Sequence, residues 1–180
     1  MSLINDILDM SKIDAGKMKI AHEAFDLKTV AESITSIIYP QAVEKGLLFT
    51  VPLIELTETV MIGDAMRLNQ ILLNLLSNSL KFTPKGGTIR LEIRQIQRKR
   101  SRVRLGFTVC DTGYGMSREF MKRLFTPFEQ ESVAAGQKFG GTGLGMAITR
   151  NLVMLMGGTI SVKSELGKGT AFSVELDFDI

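Results

Sequence analysis

Tryptophan is absent, and cysteine and histidine occur once each, as Cys110 and His22. A lone cysteine cannot form an internal disulfide or a Cys-rich metal centre, and a lone histidine gives no His-rich zinc site. A single thiol is compatible with a reducing compartment. Long apolar runs are also missing: nothing approaches the roughly 20 residues that span a bilayer, and the start has no basic-then-apolar export pattern. The expectation is a cytoplasmic segment that makes no membrane contact of its own. Charge of one sign is scarce too, since 22 basic and 19 acidic residues leave a net charge of +3. That balance gives no reason to expect nucleic acid as a partner. The one basic run, QRKRSRVR, has no interleaved aromatics and reads as the solvated turn of a hairpin. What is present is a chain of 180 residues, 44% of them hydrophobic, which is enough for one substantial core with an appended element.

MSLINDILDMSKIDAGKM reads as an amphipathic helix ending at Gly16, with Leu3, Ile7 and Met10 along one seam and Ile4 and Leu8 beside it. Such a seam suits the last turns of a longer hairpin or coiled coil, or a helix docked on its own domain. Asp26 is placed to cap a second helix over about Leu27 to Lys45, closed by Gly46. LLFTVPL is expected as a short strand. Asp64 is placed to cap a third helix that stops at Thr83 and Pro84. From Gly87 the period changes to two: Ile89, Leu91 and Ile93, then Val103, Leu105, Phe107 and Val109, form a hairpin turned near Arg100. A short helix after Ser117, a polar loop from Glu129 to Gly141, a helix from about Leu144 to Met156 and a last hairpin turned by LGKG follow. This irregular alternation predicts an α+β fold, a mixed, mostly antiparallel sheet with helices on one face.

The third helix carries the first chemical signal. On a wheel turning roughly 100° per residue, Arg67, Gln70, Ser77, Asn78 and Lys81 fall within about 60° of Asn74, while leucines occupy much of the remainder. A solvated face would carry Lys, Glu and Arg; neutral amides at i and i+4 among small and apolar neighbours suit a half-closed pocket. Asp111-Thr112-Gly113-Tyr114-Gly115 comes where an inward-facing strand gives way to a turn. A carboxylate there is costly to bury unless it gains donors, and the glycines let a flat ligand lie against the backbone. Gly140-Gly141-Thr142-Gly143-Leu144-Gly145 is a glycine-rich loop opening directly into a helix, a place for an anion and most often for phosphate. Gly167-Lys168-Gly169-Thr170 by itself is an ordinary hairpin turn. Taken singly, each of these motifs is weak.

Their order and spacing are not. N-x-x-x-N on a helix, D-x-G-x-G, F-x-x-F from Phe125 to Phe128, a polar loop into G-T-G-L-G, and G-x-G-T together resemble the ATP-binding catalytic domain of sensor histidine kinases. The resemblance runs from about Phe25 to Phe178, and RLNQILLNLLSNSLKFT and GGTGLGMAI are its most specific parts. It implies a Bergerat fold, a two-layer α/β sandwich with an ATP lid, over residues 23–180, with residues 1–22 as the end of a dimerisation helix and a linker. It also implies Mg-ATP as the ligand. Asn78 would supply its amide oxygen to Mg²⁺, which favours hard oxygen donors; Asn74 and Lys81 would face the phosphate chain. Asp111 would accept from the adenine 6-amino group, with Gly113, Gly115 and Thr170 around the base. Guanine would set acceptor against acceptor there. Phe125 and Phe128 belong to the same implied ATP-binding set. The loop from Glu129 to Gly141 would be the lid, Lys138 a γ-phosphate contact, and Gly141, Thr142, Gly143, Leu144 and Gly145 the phosphate cradle. The implied partners are the protein's own dimerisation and phosphoacceptor domain, a response-regulator receiver domain, and a second copy in the full-length protein.

Members of the same fold that hydrolyse ATP carry Glu-x-x-x-Asn on this helix, the glutamate activating water. Here the first position is Asn74, and an amide takes no proton at neutral pH. Phosphoryl transfer to a histidine is therefore expected over rapid hydrolysis. His22-Glu23 shares only the first pair of the family's acceptor motif and follows the helix, so the acceptor is expected upstream and this segment alone should not phosphorylate itself. An ATPase-type module and a non-catalytic nucleotide-binding domain are the alternatives.

Overall fold

The computed structural model describes residues 3–130 and 141–180. Helix α1 (Leu3–Asp14) leads into strand β1 (Glu23–Asp26) and helix α2 (Leu27–Lys45), followed by β2 (Leu48–Thr50), β3 (Leu53–Ile54) and β4 (Val60–Gly63). Helix α3 (Ala65–Phe82) comes next, then β5 (Thr88–Lys99), β6 (Arg102–Asp111), α4 (Arg118–Arg123), α5 (Gly145–Leu155), β7 (Thr159–Glu165) and β8 (Gly169–Asp179). The strands form one mixed sheet in the order β1-β4-β8-β6-β5-β2, with β7 also on β8 and β3 also on β5. Among the described strands, only β2 and β3 run parallel to their neighbour, β5. This is the α+β layer expected from the alternating hairpins.

The helix ends form as the caps dictate. Asp26 accepts from the backbone of Lys28, and Gly46 closes α2 at φ 71°. Asp64 accepts from Arg67 N at 2.9 Å and from Ala21 N at 2.8 Å, which pins the start of α3 to the segment before β1. At the other end of α3, Lys45 Nζ donates to the carbonyls of Leu80 and Lys81. A cation there complements the negative end of the helix dipole.

The sheet has two unlike faces because its strands alternate. Ile89, Leu91 and Ile93, Val103, Leu105, Phe107 and Val109, and Phe172, Val174, Leu176 and Phe178 are buried and pack with Ile34, Ile38, Leu68, Leu72, Leu75, Leu76, Leu152 and Val153 of the helices. Each fully buried side chain of this size contributes about 1.5–3 kcal/mol. The opposite face carries paired charges, with Arg104 to Asp177 at 2.8 Å, Arg102 to Asp179 at 3.1 Å and Glu92 between Arg90 and Arg94. Pairing with Arg94 and Arg90 holds Glu92 below its ordinary carboxylate value against the opposing effect of burial.

Three features differ from the sequence reading. LLFTVPL is divided at Val51 and Pro52 into β2 and β3, because Pro52 has no N–H to donate; its carbonyl still accepts from Ile93 N at 3.0 Å. Strands β1 and β4 pair with each other, and β4 joins the sheet through Ile62 and Asp179; four residues each are too few to display an alternating pattern. Helix α1 docks on its own domain with one face only. Met10 and Ile13 pack on the core and Asp9 receives Gln70 at 2.7 Å, while Leu3, Ile4, Ile7 and Leu8 stay exposed. The expected seam therefore splits, Met10 turning inward and Leu3 and Ile7 outward. Among the described residues, no helix is long and apolar enough to cross a membrane.

Candidate functional site

Helix α3 is the spine of the site. Its amphipathic sequence buries Leu68, Ile71, Leu72, Leu75, Leu76 and Leu80, and leaves Asn74, Asn78 and Lys81 half-buried along one side. Two groups of residues meet it, one from the ends of β6 and β8 and one from the start of α5.

On the first side, Asp111 ends β6 and is paired in register with Thr170 of β8. Ser79 Oγ donates to Asp111 Oδ2 at 2.8 Å, and Gly113 N donates to Oδ1 at 2.9 Å. Burial raises the Asp111 carboxyl above its ordinary 3.8, while these two donors and the Thr170 backbone N–H oppose that rise by favouring the charged form. The turn after β6 is tied back to α3, since Tyr114 N donates to Phe82 O at 3.1 Å. The hairpin that looked ordinary in sequence closes on the same residue, through its backbone. Gly169 sits at φ 112°, and a Cβ there would lie 2.0 Å from the Asp111 carbonyl oxygen, so only glycine fits. A cleft of about 360 Å³ lies near these strand ends, lined by Cys110, Asp111, Lys163, Ser164, Lys168 and Thr170 among others; Cys110 pairs with Arg90, so much of this cleft belongs to the charged outer face of the sheet and not to the side on which the Asp111 carboxylate meets Ser79.

On the second side, α5 begins after Leu144, which gives its first turn no side-chain cap, while Leu144 N itself donates to Thr142 Oγ1 at 3.2 Å. Asn74 Nδ2 donates to Gly145 O and, at 2.6 Å, to Thr149 Oγ1. A Cβ on Gly145 would lie 2.6 Å from Asn74 Oδ1, so α5 starts hard against this amide. Asn78 Nδ2 reaches Met146 Sδ at 3.2 Å. With the nitrogen turned to the sulfur, the carbonyl oxygen is the end of the amide left for a cation. Lys81 Nζ lies 5.1 Å from the Phe82 ring centroid and would be 3.0 Å from a Cβ on Gly141, which places its charge beside the glycine loop. Burial lowers the Lys81 pKa. A second cleft, of about 510 Å³, lies between α2 and α3 against Lys45, Ser77 and Lys81. Neither cleft is lined by Asn74 or Asn78, and Asp111 lines only the first.

The structure thus gathers Asn74, Asn78, Lys81, Gly141, Thr142, Gly143, Leu144 and Gly145 on one side of the spine, and Asp111, Gly113, Gly115 and Thr170 on the other. Phe125 packs on the core with Arg150 above its ring at 5.5 Å. Phe128 does not pack there: it is 70% exposed at φ 65°, and its N–H donates to Gly143 O at 2.8 Å. Lys138 and Gly140, with most of the expected lid, lie outside the described residues. Sequence reasoning passed over Ser79, Met146, Thr149 and Asp6. Asp6 is only 5% exposed and accepts from Thr142 Oγ1 at 2.9 Å, joining α1 to the glycine loop. Among the described residues no group of three His, Cys, Asp or Glu side chains could hold a metal ion, so a cation would need oxygens of a ligand beside Asn78.

A carboxylate at the end of an inner strand, amides on an adjacent helix and a glycine loop opening a second helix define a nucleotide-binding α/β sandwich. The chain belongs to the family of histidine kinase-, DNA gyrase B- and HSP90-like ATPases, whose family model matches residues 63–180. It is 40% identical over 174 residues to hybrid signal transduction histidine kinase B of Dictyostelium discoideum, which covers 96% of this chain and 9% of that protein. It is 37% identical to the autoinducer 2 sensor kinase/phosphatase LuxQ of Vibrio cholerae, over 100% of this chain and 21% of that protein. The chain thus spans about a fifth or less of these relatives. Full-length ShkA, solved in complex with AMPPNP, superposes with a TM-score of 0.81 at 32% identity, over 98% of this chain and 35% of that one.

Proposed function

We propose that this chain is the ATP-binding catalytic domain of a sensor histidine kinase, delivering the γ-phosphate of Mg-ATP to a histidine on a dimerisation domain for onward passage to a response-regulator aspartate. The observation that carries this reading is the Asp111 carboxylate, held by Ser79 and Gly113 as an oriented acceptor at the end of β6. An acceptor in that position suits the 6-amino group of adenine and opposes the oxygen of guanine. AMPPNP in the ShkA structure supports the same ligand class.

The residues present fit magnesium, because the Asn78 carbonyl oxygen is a hard donor and the nucleotide brings the negative charge. When bound, the ion would offset charge along the phosphate chain. Lys81 would add a positive charge beside the glycine loop, and the N–H groups at the start of α5, which lack a side-chain cap, would donate to phosphate oxygens. Asn74, an amide, removes no proton from water, which favours transfer over hydrolysis. Residues 1–22 would be the end of the dimerisation helix and its linker, the exposed Leu3, Ile4, Ile7 and Leu8 facing the rest of that domain or a second copy. The working compartment would be the cytoplasm.

The test measures Mg²⁺-dependent binding of ATP and GTP and phosphate release, then repeats the assay with an upstream acceptor helix added. ATP preference, little release, and acid-labile, base-stable label on a histidine of the extended chain are expected. Strong hydrolysis would assign an ATPase instead, and absent ATP binding a silent module.

A further inference from the structure

We infer that Ser79 is a positioning residue for base recognition: its hydroxyl fixes Asp111 in the orientation that accepts from a 6-amino purine. This rests on the adenine-reading role proposed for Asp111. Ser79 is 2% exposed, so no bulk water competes for its single O–H, which donates to Asp111 Oδ2 at 2.8 Å. The other carboxylate oxygen takes the Gly113 N–H at 2.9 Å. With one donor on each oxygen, the carboxylate plane cannot rotate without breaking both bonds. The remaining lone pairs are thereby given a fixed direction before any ligand arrives.

The donor type also matters. A hydroxyl that donates to Asp111 favours the ionised carboxylate, and only that form presents acceptors alone; a protonated Asp111 would offer an O–H where the 6-amino group brings its own. Position matters as well. Ser79 follows Asn78 on α3, so the same rigid helix that presents the amide to the phosphate side also aims the carboxylate at the base. Base and phosphate recognition are set in one register, without a mobile loop between them.

The experiment compares ATP with purine riboside triphosphate, which lacks the 6-amino group, in titrations with Mg²⁺ on the full chain. Ser79→Ala should weaken ATP roughly ten-fold, the loss of one charge-assisted hydrogen bond, and leave purine riboside triphosphate unchanged. Ser79→Cys, a weaker donor in nearly the same volume, should fall between the two and serves in place of Ser79→Ala if that variant does not fold. Equal weakening of both nucleotides, or ATP affinity at the wild-type level, would overturn the assignment. If the wild type itself binds both nucleotides equally, the fault lies with the Asp111 reading; if it prefers ATP and Ser79→Ala keeps that preference, only Ser79 is removed.

Discussion

The two sides of helix α3 are built differently. On the base side every contact to Asp111 comes from a fixed element: Ser79 from the helix, Gly113 from a turn tied to Phe82, and Thr170 from the neighbouring strand. On the phosphate side the same helix meets a loop and the first turn of α5, and the amides are already engaged within the protein, Asn74 with Gly145 and Thr149 and Asn78 with Met146. On the proposed reading, the acceptor for the base is organised before the ligand arrives, whereas phosphate binding would exchange existing contacts for new ones. In energetic terms, the first side gains affinity by avoiding reorganisation and the second must offset it.

The comparison can be broken most forcefully at Gly169. Gly169→Ala puts a Cβ within 2.0 Å of the Asp111 carbonyl at φ 112°, and denaturant unfolding should reveal a loss of about 3 kcal/mol or more. Asp111→Asn keeps the side-chain volume but replaces one acceptor with donors. ATP affinity should fall roughly a hundred-fold and the preference over GTP should collapse, as competition titrations would reveal. On the phosphate side the expected effects are smaller. Asn78→Ala should lower ATP affinity about ten-fold with Mg²⁺ present and change little in EDTA. A ten-fold loss persisting in EDTA would mean that Asn78 serves the fold and not a cation.

The mildest test is pH. Because burial raises the Asp111 carboxyl, the folded chain holds this proton more tightly than the unfolded chain. As pH falls through the raised value toward the ordinary 3.8, this group adds stability, and ATP binding, which requires the carboxylate, declines over the same window. Opposite trends in melting temperature and affinity between pH 7 and pH 4 would sharpen the contrast, provided that Asp111→Asn abolishes both contributions.

How much of this was legible depended on whether a residue's role is local. Asp111 could be read because a carboxylate at the junction of an apolar strand and a glycine turn is conspicuous, and Asn74 and Asn78 because amides interrupt a leucine helix. The caps Asp26 and Asp64 act within a few residues of themselves and fall where expected. Ser79 was hidden: it lies about 140° from Asn74 on the wheel, on the packed side, where a small hydroxyl looks like filler. Only the tertiary approach of β6 gives it a partner 32 residues away. Asp6 and Thr142, separated by 136 residues, were hidden for the same reason. The G-x-G-T turn lay between these cases, since its glycines were plain but their pressure on Asp111 was not.

The closeness of Gly145 to Asn74 limits what this scaffold can become. Exchanging residue 74 for glutamate lengthens the side chain by one methylene beside the opening turn of α5, and sets a carboxylate against the Gly145 carbonyl that the amide now satisfies. Installing a water-splitting base in this chain therefore demands that the opening turn of α5 be recut with it, so a single exchange at residue 74 should not by itself bring rapid ATP hydrolysis.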